Sequence, residues 1–352
     1  MRKLLFNLHL YIALIAGVFV VILGLTGSIM AFEPEIDHLL HWKLTHVAPQ
    51  ARALSLGEIA GIVQIAFPGE PIAGYAIATS PNMSYQVVMR KRTAFVNPYS
   101  GETLGARSGP DWVSTFQGAV HQLHMRLLIH NKADTGGRIE SCASLAIIFL
   151  LLSGLYLWWP LKRVRIRWSG TSRRSWFDLH NTVGMFSLLF LLILATTGAV
   201  MGFDEKTTPF FFKVTGSPPP SRPPRTSDPH PADAKPITPD QAVEIARAAL
   251  PGATPFAIEV PGPNGVYYMR ARFPEDRTPG GRSLVVVDQY SGKVLFALGS
   301  RNAPAALRMV IANRAIHTGD ILGIPSKIVM SLASLMAAVQ LLSGVMMWWK
   351  RS

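Results

Sequence analysis

Four long apolar runs, Leu10 to Phe32, Ile139 to Trp159, Thr182 to Phe203 and Ile328 to Trp349, constrain this chain of 352 residues more than any other feature. Each is long enough to cross a hydrocarbon core of about 30 Å as a helix of about 20 residues. Composition agrees: 49% of the residues are hydrophobic and 16% charged. Such a balance excludes a disordered chain and argues against an ordinary soluble enzyme.

A net charge of +13 admits a nucleic-acid binder or a membrane protein with basic loops, and the placement of the charges chooses between them. Arg2 and Lys3 precede the first run, Lys162, Arg163, Arg165, Arg167, Arg173 and Arg174 join the second to the third, and Lys350 and Arg351 follow the fourth. These short segments hold ten cations against one acid, Asp178. The long segments are near balance, with nine basic and eight acidic residues over 33–138, and fourteen against eleven over 204–324. By the positive-inside rule both termini are cytoplasmic and both long segments are exported. Most of the excess is then orientation signal, and no nucleic-acid partner is expected.

The first run also fits a cleavable leader, but an internal repeat argues that it is retained. Residues 5–32 align without a gap over 176–203, matching Phe6 to Phe177, Leu8 to Leu179, His9 to His180 and Thr26-Gly27 to Thr197-Gly198. The likeness continues through the exported segments. Ser55 with Glu58 and Thr238 with Gln241 have the capping-box spacing that opens a helix, and each helix ends at Phe67-Pro68-Gly69 or Leu250-Pro251-Gly252. Alternating runs follow at Tyr85 to Met89 and Tyr267 to Arg272, then at Thr93 to Val96 and Ser283 to Val287, before Tyr-Ser-Gly turns at 99–101 and 290–292. Each exported segment therefore reads as a small α+β module. Ser153-Gly154 with Trp158-Trp159 recurs as Ser343-Gly344 with Trp348-Trp349.

The predicted fold is a membrane α-helical four-span bundle of two parallel repeats, with a pseudo-two-fold axis along the membrane normal. Its parts are a first span over 1–32, an exported module over 33–138, a second span over 139–160 and a basic loop over 161–179. A third span covers 180–203, a second module with a proline-rich linker 204–324, and a fourth span with its basic end 325–352. Gly-Ser and Thr-Gly pairs in the spans let helices approach closely. The Pro218 to Pro236 stretch reads as a semi-rigid linker.

Of ten histidines, the repeat singles out four. His9 pairs with His180 at the cytoplasmic ends of the first and third spans; His124 pairs with His317, each shortly before the second or fourth span on the exported side. Two-fold symmetry places one pair toward each face, with each half supplying one imidazole to each pair. Neutral imidazole is a good axial ligand for haem iron, and two such ligands leave no open position, which favours electron transfer over oxygen chemistry. The competing account is interface histidines bonded to backbone or headgroups. Zinc or copper is weaker, since the chain has one cysteine and no HExxH run. His121, one helical turn before His124, is the alternative ligand, although it aligns with Arg314. His38, His41, His46 and His130 lack partners in the second half and read as surface residues, with transient metal binding by the first three as the alternative. Cys142 reads as a buried core thiol.

As an ordered set, the Asn/Asp-Leu-His entry to a span, the Thr-Gly near its far end, the module with a Tyr-Ser-Gly turn, the second histidine and the Ser-Gly-x-x-x-Trp-Trp ending resemble the PepSY-associated transmembrane family. Its members include bacterial inner-membrane iron-siderophore reductases of the ferrioxamine reductase type, and the resemblance covers nearly the whole chain. It implies two haem b groups, His9 and His180 for the cytoplasmic-side haem and His124 and His317 for the periplasmic-side haem, with PepSY-like modules in the periplasm. Electrons would pass outward across the lipid bilayer to a ferric siderophore or other ferric chelate. No GxGxxG or P-loop is present, so the expected donor is a separate cytoplasmic reductase or a quinol. The rival class is a haem-free membrane scaffold whose modules bind or regulate an envelope protein or peptidase.

Overall fold

The computed structural model describes residues 1–162, 164–165, 172–219 and 221–350. Arg163, Arg167 and Arg351 of the orientation signal lie outside the described residues. The helices are α1 (Arg2–Met30), α2 (Glu33–Leu40), α3 (Trp42–Thr45), α4 (Leu56–Ala66), α5 (Trp112–Arg126), α6 (Thr135–Trp158), α7 (Arg173–Gly202), α8 (Asp204–Thr215), α9 (Pro239–Ala249), α10 (Ala305–His317) and α11 (Ile324–Trp349). Two compact units result, one of residues 1–33, 116–214 and 309–352, the other of 34–115 and 215–308.

In the first unit α1, α6, α7 and α11 are long and apolar enough to cross a membrane. They form a closed ring in which α1 touches α6, α6 touches α7, α7 touches α11 and α11 touches α1. Each begins before its apolar run. In α7 the Ser172 hydroxyl accepts the Ser175 N–H and caps a basic first turn, so the helix starts at polar residues that hydropathy does not register. Small residues set the α1–α11 approach: a β-carbon at Gly24 would lie 2.6 Å from the Ser334 carbonyl oxygen. Across the same contact Ser28 donates to the Ser331 carbonyl at 3.0 Å and Ser334 to the Gly24 carbonyl at 3.0 Å. This is the close packing expected of small and hydroxyl residues in lipid. Cys142 corrects its reading as a buried thiol: it is exposed, because it borders the hollow centre of the ring.

The second unit is built on a sheet of β1 (Ile72–Ala76), β2 (Tyr85–Met89), β3 (Thr93–Val96), β4 (Thr103–Arg107), β5 (Thr254–Glu259), β6 (Val266–Arg272), β7 (Ser283–Asp288) and β8 (Val294–Leu298). The order is β4-β3-β2-β1-β5-β6-β7-β8, antiparallel throughout. The strands expected as two modules thus form one continuous sheet, joined where Gly74 faces Glu259, Tyr75 faces Ile258 and Ala76 faces Ala257. Gly74 permits the seam, since a β-carbon there would lie 2.5 Å from the Ile258 carbonyl oxygen.

Helices α4 and α9 bury Ile59, Val63, Ala242, Val243 and Ala246 in one core with Val87, Ile258, Met269, Val285 and Val287. Each fully buried valine, isoleucine or methionine among these stabilises the fold by about 1.5–3 kcal/mol relative to exposure. Both expected capping boxes are formed. The Asp240 carboxylate of α9 also accepts the Leu56 and Gly57 N–H groups of α4, at 2.8 and 2.9 Å, which satisfies amides that a helix start leaves unpaired. The linker carries no helix or strand among the described residues of 216–238. It is tied down where Ser227 N–H donates to the Asn264 carbonyl at 2.9 Å and Asp228 N–H to Asp288 at 2.8 Å.

Candidate functional site

His9 stands on α1, His180 on α7, and His124 and His317 in the last turns of α5 and α10. In each, Nδ1 meets a hydroxyl on a neighbouring span: Ser153 for His9 at 2.8 Å, Ser343 for His180 at 3.0 Å, Thr26 for His124 at 2.8 Å and Thr197 for His317 at 3.0 Å. The residue after each hydroxyl is glycine, and its bare face receives the ring. A β-carbon would lie 3.4 Å from Cε1 of His9 at Gly154, 3.7 Å from that of His180 at Gly344, 3.1 Å from that of His124 at Gly27 and 3.0 Å from that of His317 at Gly198. The Ser-Gly and Thr-Gly pairs therefore seat histidines, a role beyond the close helix approach that the sequence suggested.

The hydrogen-bond network assigns the tautomer. Thr26 donates its proton to the Ile22 carbonyl at 2.6 Å, Thr197 to Ile193 at 2.7 Å, Ser343 to Val339 at 2.6 Å and Ser153 to Leu150 at 3.2 Å. A hydroxyl has one proton, so each of these oxygens is left to accept, and the imidazole must donate from Nδ1. His317 adds a second acceptor, the Leu194 carbonyl 3.2 Å from Nδ1. In the neutral ring the lone pair then resides on Nε2. No Nε2 of the four makes a hydrogen bond among the described residues.

All four histidines line one cavity of about 1010 Å³ along the middle of the bundle, at the top of the range of roughly 300–1,000 Å³ common for ligand pockets. At the His9–His180 end its wall is mainly apolar, with Ala13, Leu150, Leu151 and Leu341 beside one amide, Gln340, which donates to the His180 carbonyl at 3.0 Å; at the other end it reaches exposed charged residues, among them Lys132, Asp134 and Arg314. The rings of His124 and His317 are 6.5 Å apart between centroids and inclined by 53°. Rings at that spacing would let His124 and His317 share one metal-centred group between them. His9 and His180 are near enough to interact electrostatically. The donor set, two neutral imidazoles at each end of a large, mainly apolar cavity, would suit a metal-centred group held by two imidazole nitrogens, His9 with His180 at one end and His124 with His317 at the other.

The other histidines go elsewhere. His121 lines the cavity but is exposed and makes no hydrogen bond among the described residues; the pairing with Thr26 and His317 belongs to His124. His41 contacts Asp37 at 3.0 Å and Asp111 at 2.7 Å, with Arg107 3.1 Å from Asp111. His46 stacks on Trp42 at 3.8 Å, and His130 is exposed. The alternative of a metal cluster at His38, His41 and His46 finds no support, since among the described residues no group of three or more His, Cys, Asp or Glu side chains is arranged to hold a metal ion. Asp111, which accepts the Ser114 N–H at 2.8 Å ahead of α5, is held down to about 2, first by that backbone bond and further by the Ser114 hydroxyl, His41 and Arg107.

Four helices apolar enough to cross a membrane, gathered around a histidine-lined cavity in a chain whose other unit is built on an eight-stranded antiparallel sheet, fit a membrane α-helical protein. The sequence profile described as the PepSY-associated TM region matches residues 6–351, essentially the whole chain, and the protein belongs to that family. No curated protein matches it.

Proposed function

We propose that the chain is a di-haem b reductase of the bacterial inner membrane, which passes electrons from a cytoplasmic reductase or quinol to a ferric siderophore or other ferric chelate in the periplasm and releases ferrous iron. The observation that carries this reading is that four histidines, each fixed through Nδ1 with no hydrogen bond at Nε2 among the described residues, line one cavity. The reading takes the chain as two parallel repeats. The strand order, symmetric about β1–β5, and the equivalent hydroxyl-glycine seats support it. The basic segments flanking the spans support cytoplasmic termini and a periplasmic sheet unit.

His9 and His180 would hold one haem, His124 and His317 the other. Bound with two imidazoles and no open position, haem iron supplies one-electron transfer. The residues do the rest. Ser153, Ser343, Thr26 and Thr197 orient the rings and increase the basicity of Nε2, as outer partners of metal histidines do. Leu150, Leu151 and Leu341 keep water from the His9–His180 end. The oxygen ligands of a siderophore suit ferric iron better than the softer ferrous ion, so one electron per iron is enough to loosen the chelate.

The test is the reduced-minus-oxidised absorbance spectrum of the detergent-purified protein, with haem counted by pyridine haemochrome. The expected result is sharp b-type bands at two haems per chain, with His124→Ala and His317→Ala each losing one haem and keeping the other. A flat spectrum from haem-replete cells would sink the reading and leave the scaffold. Stopped-flow reoxidation with a panel of ferric chelates then identifies the acceptor.

A further inference from the structure

Besides its histidines, the cavity wall carries one charged residue that is buried, Glu140, at 7% exposure. It lies in the second turn of α6, inside a segment apolar enough to cross a membrane, where an ionisable side chain is costly and marks function by default. One carboxylate oxygen accepts the Leu127 N–H at 3.2 Å, and that donor is shared with the Leu123 carbonyl at 3.1 Å. The other oxygen has no hydrogen bond among the described residues, and no cation there pairs with either. By contrast Lys327, the buried cation of α11, sits 3.3 Å from Asp320.

The local backbone is shaped around this carboxyl. Leu127 and Leu128, just after His124, hold left-handed φ values of 51° and 59°, a conformation uncommon away from glycine. The first turn of α6 lies directly on the end of α5, where a β-carbon at Gly136 would collide with the Arg126 carbonyl. Glu140 thus reaches the wall at the end of the cavity served by His124 and His317.

The remaining charges of that end are outward or already balanced. The cations are Arg126, Lys132, Arg138, Lys206 and Arg314, all exposed, and Arg126 is paired with Asp134 at 3.1 Å. The acids besides Asp134 are Glu33, half-buried, and Asp204 and Glu205, both exposed. His121, His124, His317 and the free thiol of Cys142 are the other titratable groups facing it. Solvent screens exposed charges far better than a buried one, so an electron added at this end is felt most by Glu140.

We propose that Glu140 is the proton-exchanging group of the His124–His317 centre, an inference that rests on the haem reading above. With haem held there, gain of one electron by this centre from the quinol or reductase would be matched by one proton passing to the Glu140 carboxylate from hydronium in the water at the open end of the cavity, an O–H bond of the hydronium breaking as that of the carboxylic acid forms. When the electron leaves to the ferric chelate, the O–H bond breaks and the proton returns to water. The net charge of the cavity is the same before and after, and reduction at this centre becomes easier as pH falls.

The experiment is a spectroelectrochemical titration of the intact protein in detergent at several pH values, for wild type, Glu140→Gln and Glu140→Asp. Wild type and Glu140→Asp are expected to show a potential at this centre that falls with pH. Full coupling shifts the equilibrium tenfold per pH unit, about 59 mV for a one-electron couple. Glu140→Gln, with its haem content unchanged, is expected to lose the slope. A pH-independent wild type, or a glutamine variant with the wild-type slope, overturns the assignment. The redox-difference infrared spectrum of the wild type is an independent readout: a carboxylic C=O band gained on reduction supports it, and the absence of such a band overturns it. A wild-type protein without haem bands is a different result, which rejects the haem reading itself.

Discussion

Replacing Thr26 by valine preserves the shape of the side chain and removes the oxygen that receives the His124 Nδ1–H across 2.8 Å. The ring stays in its seat against Gly27, but its donor loses that partner. A buried donor left without an acceptor costs about 1–3 kcal/mol, which is the upper bound here because the Leu23 carbonyl stays within reach of the ring. At 1.4 kcal/mol per factor of ten this corresponds to roughly 5- to 150-fold in binding, which brackets the 10- to 100-fold typical when an outer partner of a metal-bound histidine is removed. Haem affinity at the His124–His317 centre should therefore fall by about tenfold to a hundredfold, with the His9–His180 centre unaffected. Transfer of haem to an apo-scavenger protein, followed optically, measures both constants in one sample. Thr26→Ser should restore the wild-type value, because it returns the hydroxyl. Unchanged affinity at both centres in Thr26→Val would refute the tautomer argument, and equal weakening at both would show that the substitution acts through the bundle as a whole.

Three further outcomes are expected. Gly198→Ala and Gly27→Ala should displace their histidines and alter the absorbance bands of that centre, since the new β-carbons meet Cε1 at 3.0 and 3.1 Å, whereas Gly344→Ala, with 3.7 Å available, should leave the His9–His180 bands unchanged. Asp240→Ala should lower the thermal stability of the sheet unit by about 1–2 kcal/mol, read as an earlier fluorescence melt, without changing haem content, because it strips the α4 cap and touches neither centre. Asp111 is held near 2 in the folded protein, below its ordinary value of about 3.9. Its stabilising contribution is complete above about pH 4 and is lost as pH falls toward 2, so between pH 5 and pH 3 the melting temperature of wild type should drop more than that of Asp111→Asn.

The spans, both capping boxes and strands β2, β3, β6 and β7 were legible because each is local, and the repeat singled out the four histidines that line the cavity. Strands β1, β4, β5 and β8 were not. Ile72–Ala76 contains alanine and glycine, weak strand formers, and Thr254–Glu259 begins Thr-Pro; what makes them strands is each other, through pairing that spans about half the chain. The same limit hid the seam and hence the single sheet. Within the site, Thr-Gly and Ser-Gly were visible as repeated pairs, but their partner histidines lie 98 to 163 residues away, so the sequence offered helix packing as sufficient reason for them. Glu140 was overlooked because a single acid at the end of an apolar run looks like its boundary. Cys142 was misread because hydropathy does not distinguish a filled bundle from a hollow one.

The β1–β5 seam gives the sheet unit a mechanical character. Every strand from Thr103–Arg107 to Val294–Leu298 is hydrogen-bonded to the next, and the β1–β5 seam is in regular register, so the eight strands behave as one plate and not as two lobes hinged at the seam. Anything that settles on this unit meets a preformed surface, and its on-rate carries no waiting time for a jaw to close. The same continuity couples damage. Unravelling either half strips the ladder from β1 or β5 and exposes a long raw edge, the kind that recruits other chains. The two halves should therefore survive or fail together, in one cooperative transition under heat, denaturant or pulling force.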